Sequence, residues 1–269
     1  MCSVNRVVDH LAPVDRATVA ILAFVGSTGR PVACPVTPLV DGDDVVVSSV
    51  LALIRKVASI RRDPRVAVLA GGSQVRGLAQ VELDEDGEFF HKIFRDQELR
   101  KYPPSRVLLR MPGHRRLFWW YAGRVLIRLS APVGPTPGDD RATLTRFDLD
   151  GLPRVDPLPR LADADEATID LGAAGLAGSV PEGRGCIVIH EEHNGGSDLR
   201  QLRLSGDIAD GRFIVGRRTG SLLPARASPR DRVAGLRAMA SQAKANQAML
   251  AAWRQENTAS TGPPAPDHN

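Results

Sequence analysis

The chain is poor in cysteine, lysine and aromatic residues, and it lacks a long apolar run. Its three cysteines, Cys2, Cys34 and Cys186, stand alone. They have no metal-ligand spacing and form no even framework, which excludes a disulfide-built scaffold and leads us to expect a reducing cytoplasm. The longest apolar run, Ala17 to Val25, contains a threonine and is far too short to span a bilayer. No apolar core follows the first six residues, so no export signal is expected. Lysine occurs only at 56, 92, 101 and 244, and arginine supplies the other 31 of 35 basic residues. The net charge of +4 is modest and spread along the chain. A nucleic-acid reader concentrates such charge on one face with interleaved aromatics. We therefore expect neither a nucleic-acid nor a membrane partner. What remains, 43% hydrophobic and 25% charged residues over 269 positions, fits one large or two ordinary globular domains.

The most informative stretch is VVVSSVLALIRKVASIRRDPRVAV, from Val45 to Val68. Val45, Val46 and Val47 suit a buried strand. From Leu51 to Arg62 the pattern is helical, with Leu53, Val57 and Ile60 on one face. Asp63-Pro64 ends that helix, because proline disfavours α geometry in the residue before it. Arg55 and Arg62 point away from the apolar stripe, while Lys56 and Arg61 flank it. Ser48 and Ser49, the free N–H groups of a first helical turn and a lysine together suit a phosphate. The same run also reads as a solvated basic face.

Around it, Ala17 to Phe24 reads as a strand buried on both faces, and Gly26 to Gly29 as a hairpin turn. Arg30 to Val40 carries Pro31, Pro35 and Pro38, so it is not a fully paired central strand. A DGDD turn follows, and Gln74 to Leu83 alternates as a strand. One amphipathic helix is expected from Asp86 to Tyr102. A short strand is expected at 106–110, an aromatic cluster at 117–121 and a strand from Arg124 to Leu129. The cluster reads either as barrel closure or as a stacking platform. Residues 131–165, dense in proline, read as an extended connector. Beyond it, Cys186 to His190, the turn at 194–196 and the DG hairpin at 210–211 resemble the first hairpins and suggest a smaller, degenerate repeat. His190, Glu191, Glu192 and His193 form the main His/Glu cluster; on a strand the two histidines face opposite ways, on a loop they could share a metal. No metal site is assigned. Ser228-Pro229 opens a last helix to about Trp253, and a disordered tail is expected from 257.

Taken in order, ATVAILAFVGSTGRPVACPVTPLVDGDDVVVSSVLALIRKVASIRRDPRVAVL resembles the pyridoxamine-5′-phosphate-oxidase-like split β-barrel family, and its flavin- and deazaflavin-dependent reductase branches above all. The resemblance covers roughly residues 5–130. It implies a split β-barrel with flanking helices over 1–130; with the linker read over 131–165 and the smaller barrel-like unit with a C-terminal helix read over 166–256, the expected fold is mainly β (α+β). It implies an oxidoreductase with FMN or a deazaflavin coenzyme of the F-420 type, hydride transfer to or from a small-molecule substrate, and a homodimer with the cofactor between two barrels. A pseudo-dimer within one chain is the alternative assembly. Lys56 would hold the phosphate, assisted by Ser48, Ser49 and Arg55 or Arg61. Pro35, Val36 and Thr37 would line the ring pocket, or form a proline-protected edge strand. The family often places asparagine two or three residues beyond the lysine; here Ala58 and Ser59 stand there. No acid or base is assigned, since the cofactor carries the chemistry. A non-catalytic cofactor binder, and a heme-handling protein using His190 or His193, are the other readings.

Overall fold

The computed structural model describes residues 9–102, 105–106, 113, 116, 118–136, 138–161, 166–176, 178, 180–193, 198–223 and 229–260. Two antiparallel sheets make the first half. One has the order β2 (Pro31–Val36), β1 (Ala20–Val25), β5 (Arg65–Ala70), β6 (Ser73–Leu78), β9 (Val133–Pro135). The other has the order β3 (Pro38–Asp41), β4 (Asp44–Val50), β8 (Arg124–Leu129), β7 (Gln80–Asp84). β2 passes into β3 with only Thr37 between them, and β6 into β7 with only Ala79. Two bent strands therefore close the sheets into a six-stranded split barrel around one core. The prolines of β2 are tolerated because that strand pairs with β1 alone in its sheet.

β1 is buried at every position, and the structure shows why it carries no polar alternation. Ala20, Leu22 and Phe24 face the barrel core. Ile21 and Ala23 face outward and pack, with Ala33, Ala67 and Leu69, against Val155, Cys186 and Val188 of a second sheet. That sheet contains β10 (Ala142–Phe147), β11 (Pro153–Pro157), β12 (Thr168–Asp170), β13 (Gly183–His193), β14 (Asp198–Ala209) and β15 (Arg212–Ser221), in the order β11-β10-β13-β14-β15-β12. Its other face has its own core, built on Leu144, Ile187, Leu204, Ile208 and Phe213.

The stretch read as a connector carries three strands. β9 extends the barrel sheet, while β10 and β11 belong to the second sheet. The prolines misled because Pro153 and Pro157 sit on the edge strand β11, where a missing N–H costs no ladder bond. Gln74 docks that strand to the barrel: its amide donates to Val155 O at 2.6 Å and accepts from Val155 N at 3.1 Å.

The described helices are α1 (Ala12–Arg16), α2 (Arg55–Arg62), α3 (Glu88–Ile93), α4 (Arg95–Lys101), α5 (Trp119–Ala122), α6 (Pro229–Ala245) and α7 (Gln247–Ser260). The single helix expected from Asp86 is thus two, broken at Phe94. It starts after Gly87, whose φ is +70° and where a Cβ would lie 2.1 Å from Ala122 O. The last helix is likewise broken, at Asn246, and helix continues to Ser260. Trp120 and Tyr121 lie in the barrel core, which settles the aromatic cluster as closure. The strand expected at 106–110 and the cap Ser228 fall mostly or wholly outside the described residues.

Candidate functional site

The barrel is open beside the end of β4. Its last pair with β3 is Val47 with Pro38, so residues 48–50 have β8 on one side and, among the described residues, no strand on the other. β2 turns away to join β1 at the same corner. α2, which follows the end of β4, packs against β1 and β7, with Val57 and Ile60 fully buried. Leu53, expected on the same apolar stripe, is 54% exposed. The segment from Leu51 to Leu53 is a 3-10 turn rather than α-helix, and its tighter winding brings Ile54 inward instead.

The predicted residues divide between free and engaged groups. Lys56, half-buried in the first turn of α2, acts electrostatically on the thiol of Cys34 in β2. Arg203 of β14 acts on the same thiol. Burial raises the Cys34 pKa, and the two cations oppose that rise. Among the described residues neither Lys56 nor Arg203 forms a salt bridge. Arg55 is exposed and Ser48 half-buried. Ser49 is buried and spends its hydroxyl on Leu53 O at 3.1 Å. Arg61 stacks over Trp253 at 4.7 Å and pairs with Glu256 at 2.5 Å.

β2 separates the three predicted ring contacts by its period of two. Val36 faces the barrel core, as Cys34 does, while Pro35 pairs with Ile21, whose side chain is on the outer face. Thr37 is half-buried at the bend. The three therefore do not line one surface.

The C-terminal helices close over the turn that was to cradle a phosphate. Asn246, at the break between α6 and α7, donates to Leu51 O at 2.9 Å and Ala52 O at 3.4 Å. Ala243, Leu250 and Trp253 complete the contact. Sequence reasoning missed Asn246 and Arg203. An asparagine in an alanine-rich helix is a weak sign of a break, whereas nothing local marks an arginine on a distant strand. Among the predicted phosphate residues, Ser49 and Arg61 thus already have partners within the chain, while Lys56 forms no salt bridge among the described residues.

A cavity of about 920 Å³ lies elsewhere, between the entry to β1 and the second sheet. It is lined by Thr18, Asp139, Asp140, Arg141, His190 and Glu192, among others. His190 is 4% exposed and its Nδ1 has no hydrogen-bond partner. Its backbone N–H donates to Arg141 O at 2.8 Å. Burial lowers the His190 pKa, opposed by Asp140, Asp139 and Glu192. Burial raises that of Asp140, opposed by His190. β13 runs through His193, so the 190–193 cluster is strand and not the loop that a shared metal needs. Among the described residues no three His, Cys, Asp or Glu side chains are grouped to hold a metal ion. No described helix is long and apolar enough to cross a membrane.

No family model and no curated protein matches the chain. Solved structures resemble it over about half its length. They include a Listeria innocua protein given the provisional name pyridoxamine 5′-phosphate oxidase, 22% identical, covering 46% of this chain and 93% of its own, with a TM-score of 0.33. An F420 reductase is 16% identical, covering 47% of this chain and 97% of its own, with a TM-score of 0.35. A FAD-binding protein from Mesorhizobium loti is 18% identical, covering 45% and 86%, with a TM-score of 0.31.

Proposed function

We propose that the chain is a flavin- or deazaflavin-dependent oxidoreductase acting on a small molecule, with the phosphate of FMN or of an F-420-type coenzyme held at Lys56. The observation that carries this reading is that Lys56 and Arg203 both act electrostatically on the Cys34 thiol of β2, with no carboxylate partner for either cation among the described residues. Two cations without carboxylate partners favour a bound anion over empty solvent. The bound coenzyme would supply hydride transfer.

The chain's own residues then have three tasks. Lys56 and Arg203 hold the anionic end. Val36, at the barrel mouth, presents an apolar wall against water. Asn246 fixes the turn ahead of α2 and so fixes where Lys56 stands. Arg203 comes from the second sheet, and that sheet covers the outer face of β1, β2 and β5. This supports the pseudo-dimer within one chain as the setting of the site, in place of two barrels from two chains.

The engagement of Ser49, Arg61 and the Leu51 and Ala52 carbonyls within the chain favours one second reading, a non-catalytic protein on the same scaffold. A titration decides between them. FMN, the deazaflavin coenzyme and heme are added to the purified protein, to Lys56→Ala and to Arg203→Ala, with absorbance and fluorescence followed. The oxidoreductase reading expects micromolar binding of one flavin, weakened about tenfold or more in Lys56→Ala. Absence of flavin binding, or binding that ignores Lys56→Ala, overturns it.

A further inference from the structure

The cavity beside His190 shares no lining residue with the split. Its volume of about 920 Å³ is in the range that holds a whole small ligand. Its walls come from two units. Ala17, Thr18 and Val19 lead into β1, and the rest belong mainly to the start of β10 and the end of β13.

Its charge is one-sided. Asp139, Asp140, Glu191 and Glu192 line it against a single Arg141. Arg141 is exposed and is drawn to Asp139 at 3.5 Å. Glu192 is held from the barrel side by the Thr18 hydroxyl, which donates at 2.8 Å. Asp140 is half-buried, and its carboxylate takes a hydrogen bond from its own backbone N–H.

His190 supplies the second, independent observation. It is more than nine-tenths buried, it lines the cavity, and its Nδ1 lacks a partner. Buried polar atoms in folded proteins are nearly always satisfied, and an orphan at a cavity wall asks for a ligand atom. Leu158, Pro159 and Ile189 provide apolar walls beside it. A bare metal ion is a poor occupant, because no three metal-type side chains are grouped there among the described residues.

We propose that this cavity is a second binding site, taking a small organic cation: a primary amine or guanidine with an apolar body, its charge on Asp140 and Glu192 and a polar atom on His190 Nδ1. A neutral buried imidazole suits that last contact, since burial disfavours its charged form.

The full-length chain tests this by calorimetric titration with phenethylamine and agmatine, with phenylacetate as the anionic counterpart. The expected result is binding of at least one amine and none of phenylacetate. Asp140→Asn and His190→Gln should each weaken amine binding by about tenfold or more. Lys56→Ala should leave it unchanged, which separates this site from the flavin reading. If Asp140→Asn does not fold, the exposed Glu192→Gln variant takes its place and should weaken binding in the same direction. Failure of both amines to bind, equal binding of phenylacetate, or amine affinity untouched by the carboxylate variants would each overturn the proposal.

Discussion

Replacing Lys101 with methionine should change how the stability of this chain depends on pH. The lysine is 3% exposed; its Nζ donates to Val14 O at 3.1 Å and to Pro38 O at 2.7 Å, with Asp15 at 3.8 Å. It thus ties α1 to the corner where β2 becomes β3, one residue from Thr37. Burial lowers its pKa from 10.5 to about 8, against the pull of Asp15. Between those two values the unfolded chain keeps a proton that the folded chain has released, so stability rises with pH. From pH 7 to pH 9 the rise from this one group is about 1.4 kcal/mol. The buried thiols work the other way. Cys34 is raised and Cys186 is pushed up to about 11, so near pH 9 the unfolded chain loses those protons first. Subtracting the Lys101→Met curve from the wild-type curve removes that background. Urea unfolding at pH 7, 8 and 9, followed by tryptophan fluorescence at fixed ionic strength, gives both curves. Methionine also leaves two carbonyls without a donor, which lowers its curve without changing its slope. A wild-type minus variant difference that stays flat from pH 7 to pH 9 would refute the assignment of a buried, charge-disfavoured Lys101.

Three further outcomes follow from buried polar contacts. Arg124 is fully buried, lies over Phe90 and Tyr121 at 4.3 and 4.4 Å, and reaches Glu98 at 3.3 Å. Arg124→Met takes the counter-charge from the buried Glu98 carboxylate, leaving it only the hydroxyls of Ser105 and Tyr121, and should lower stability by about 3–5 kcal/mol in thermal or urea unfolding. Gln74→Ala leaves the Val155 N–H and C=O of an edge strand unpaired, with a cost of about 2–4 kcal/mol. Hydrogen exchange should show β11 loosening first. Asn246→Ala removes both donors to the turn ahead of α2, at about 1–3 kcal/mol, and should raise exchange in residues 51–56 more than in β14.

The barrel was legible in the sequence where local chemistry dictates geometry. The β-branched run before Ser48, the DG hairpins and the Asp63-Pro64 stop each act through neighbouring residues, and each stands where expected. Leu53 was misplaced because a 3-10 turn and an α-helix put the same residue on different faces, and sequence spacing assumes one winding. The connector was misread because proline density signals extension without saying whether a neighbouring strand exists. β11 is such an extended segment: it pairs in a hairpin with Thr143 to Phe147, and Gln74, 81 residues earlier, docks it across the sheet interface. Of the candidate site, the helix that carries Lys56 was readable. The engagement of Ser49 and Arg61 was not, since the groups that occupy Arg61 lie some 190 residues away.

The same long-range closure bears on how a ligand site is built here. A split barrel alone leaves the outer face of β1, β2 and β5 apolar: Ile21, Ala23, Ala33, Ala67 and Leu69 would all meet water. Such a face must be covered, by a second copy or by more chain. In this protein the second sheet covers it with Val155, Cys186 and Val188, and in doing so carries Arg203 to Cys34 and His190 to the entry of β1. Packing therefore comes first and chemistry rides on it. Val188 and His190 share a face of β13, and Arg203 stands opposite Val188 in the register. The strand pairing that buries the apolar residues thus fixes where the cation and the imidazole point. A one-residue slip between β13 and β14 would move Arg203 out of register with Val188 and turn it to the other face of the sheet, so the inter-sheet core and the placement of Arg203 stand or fall on one register.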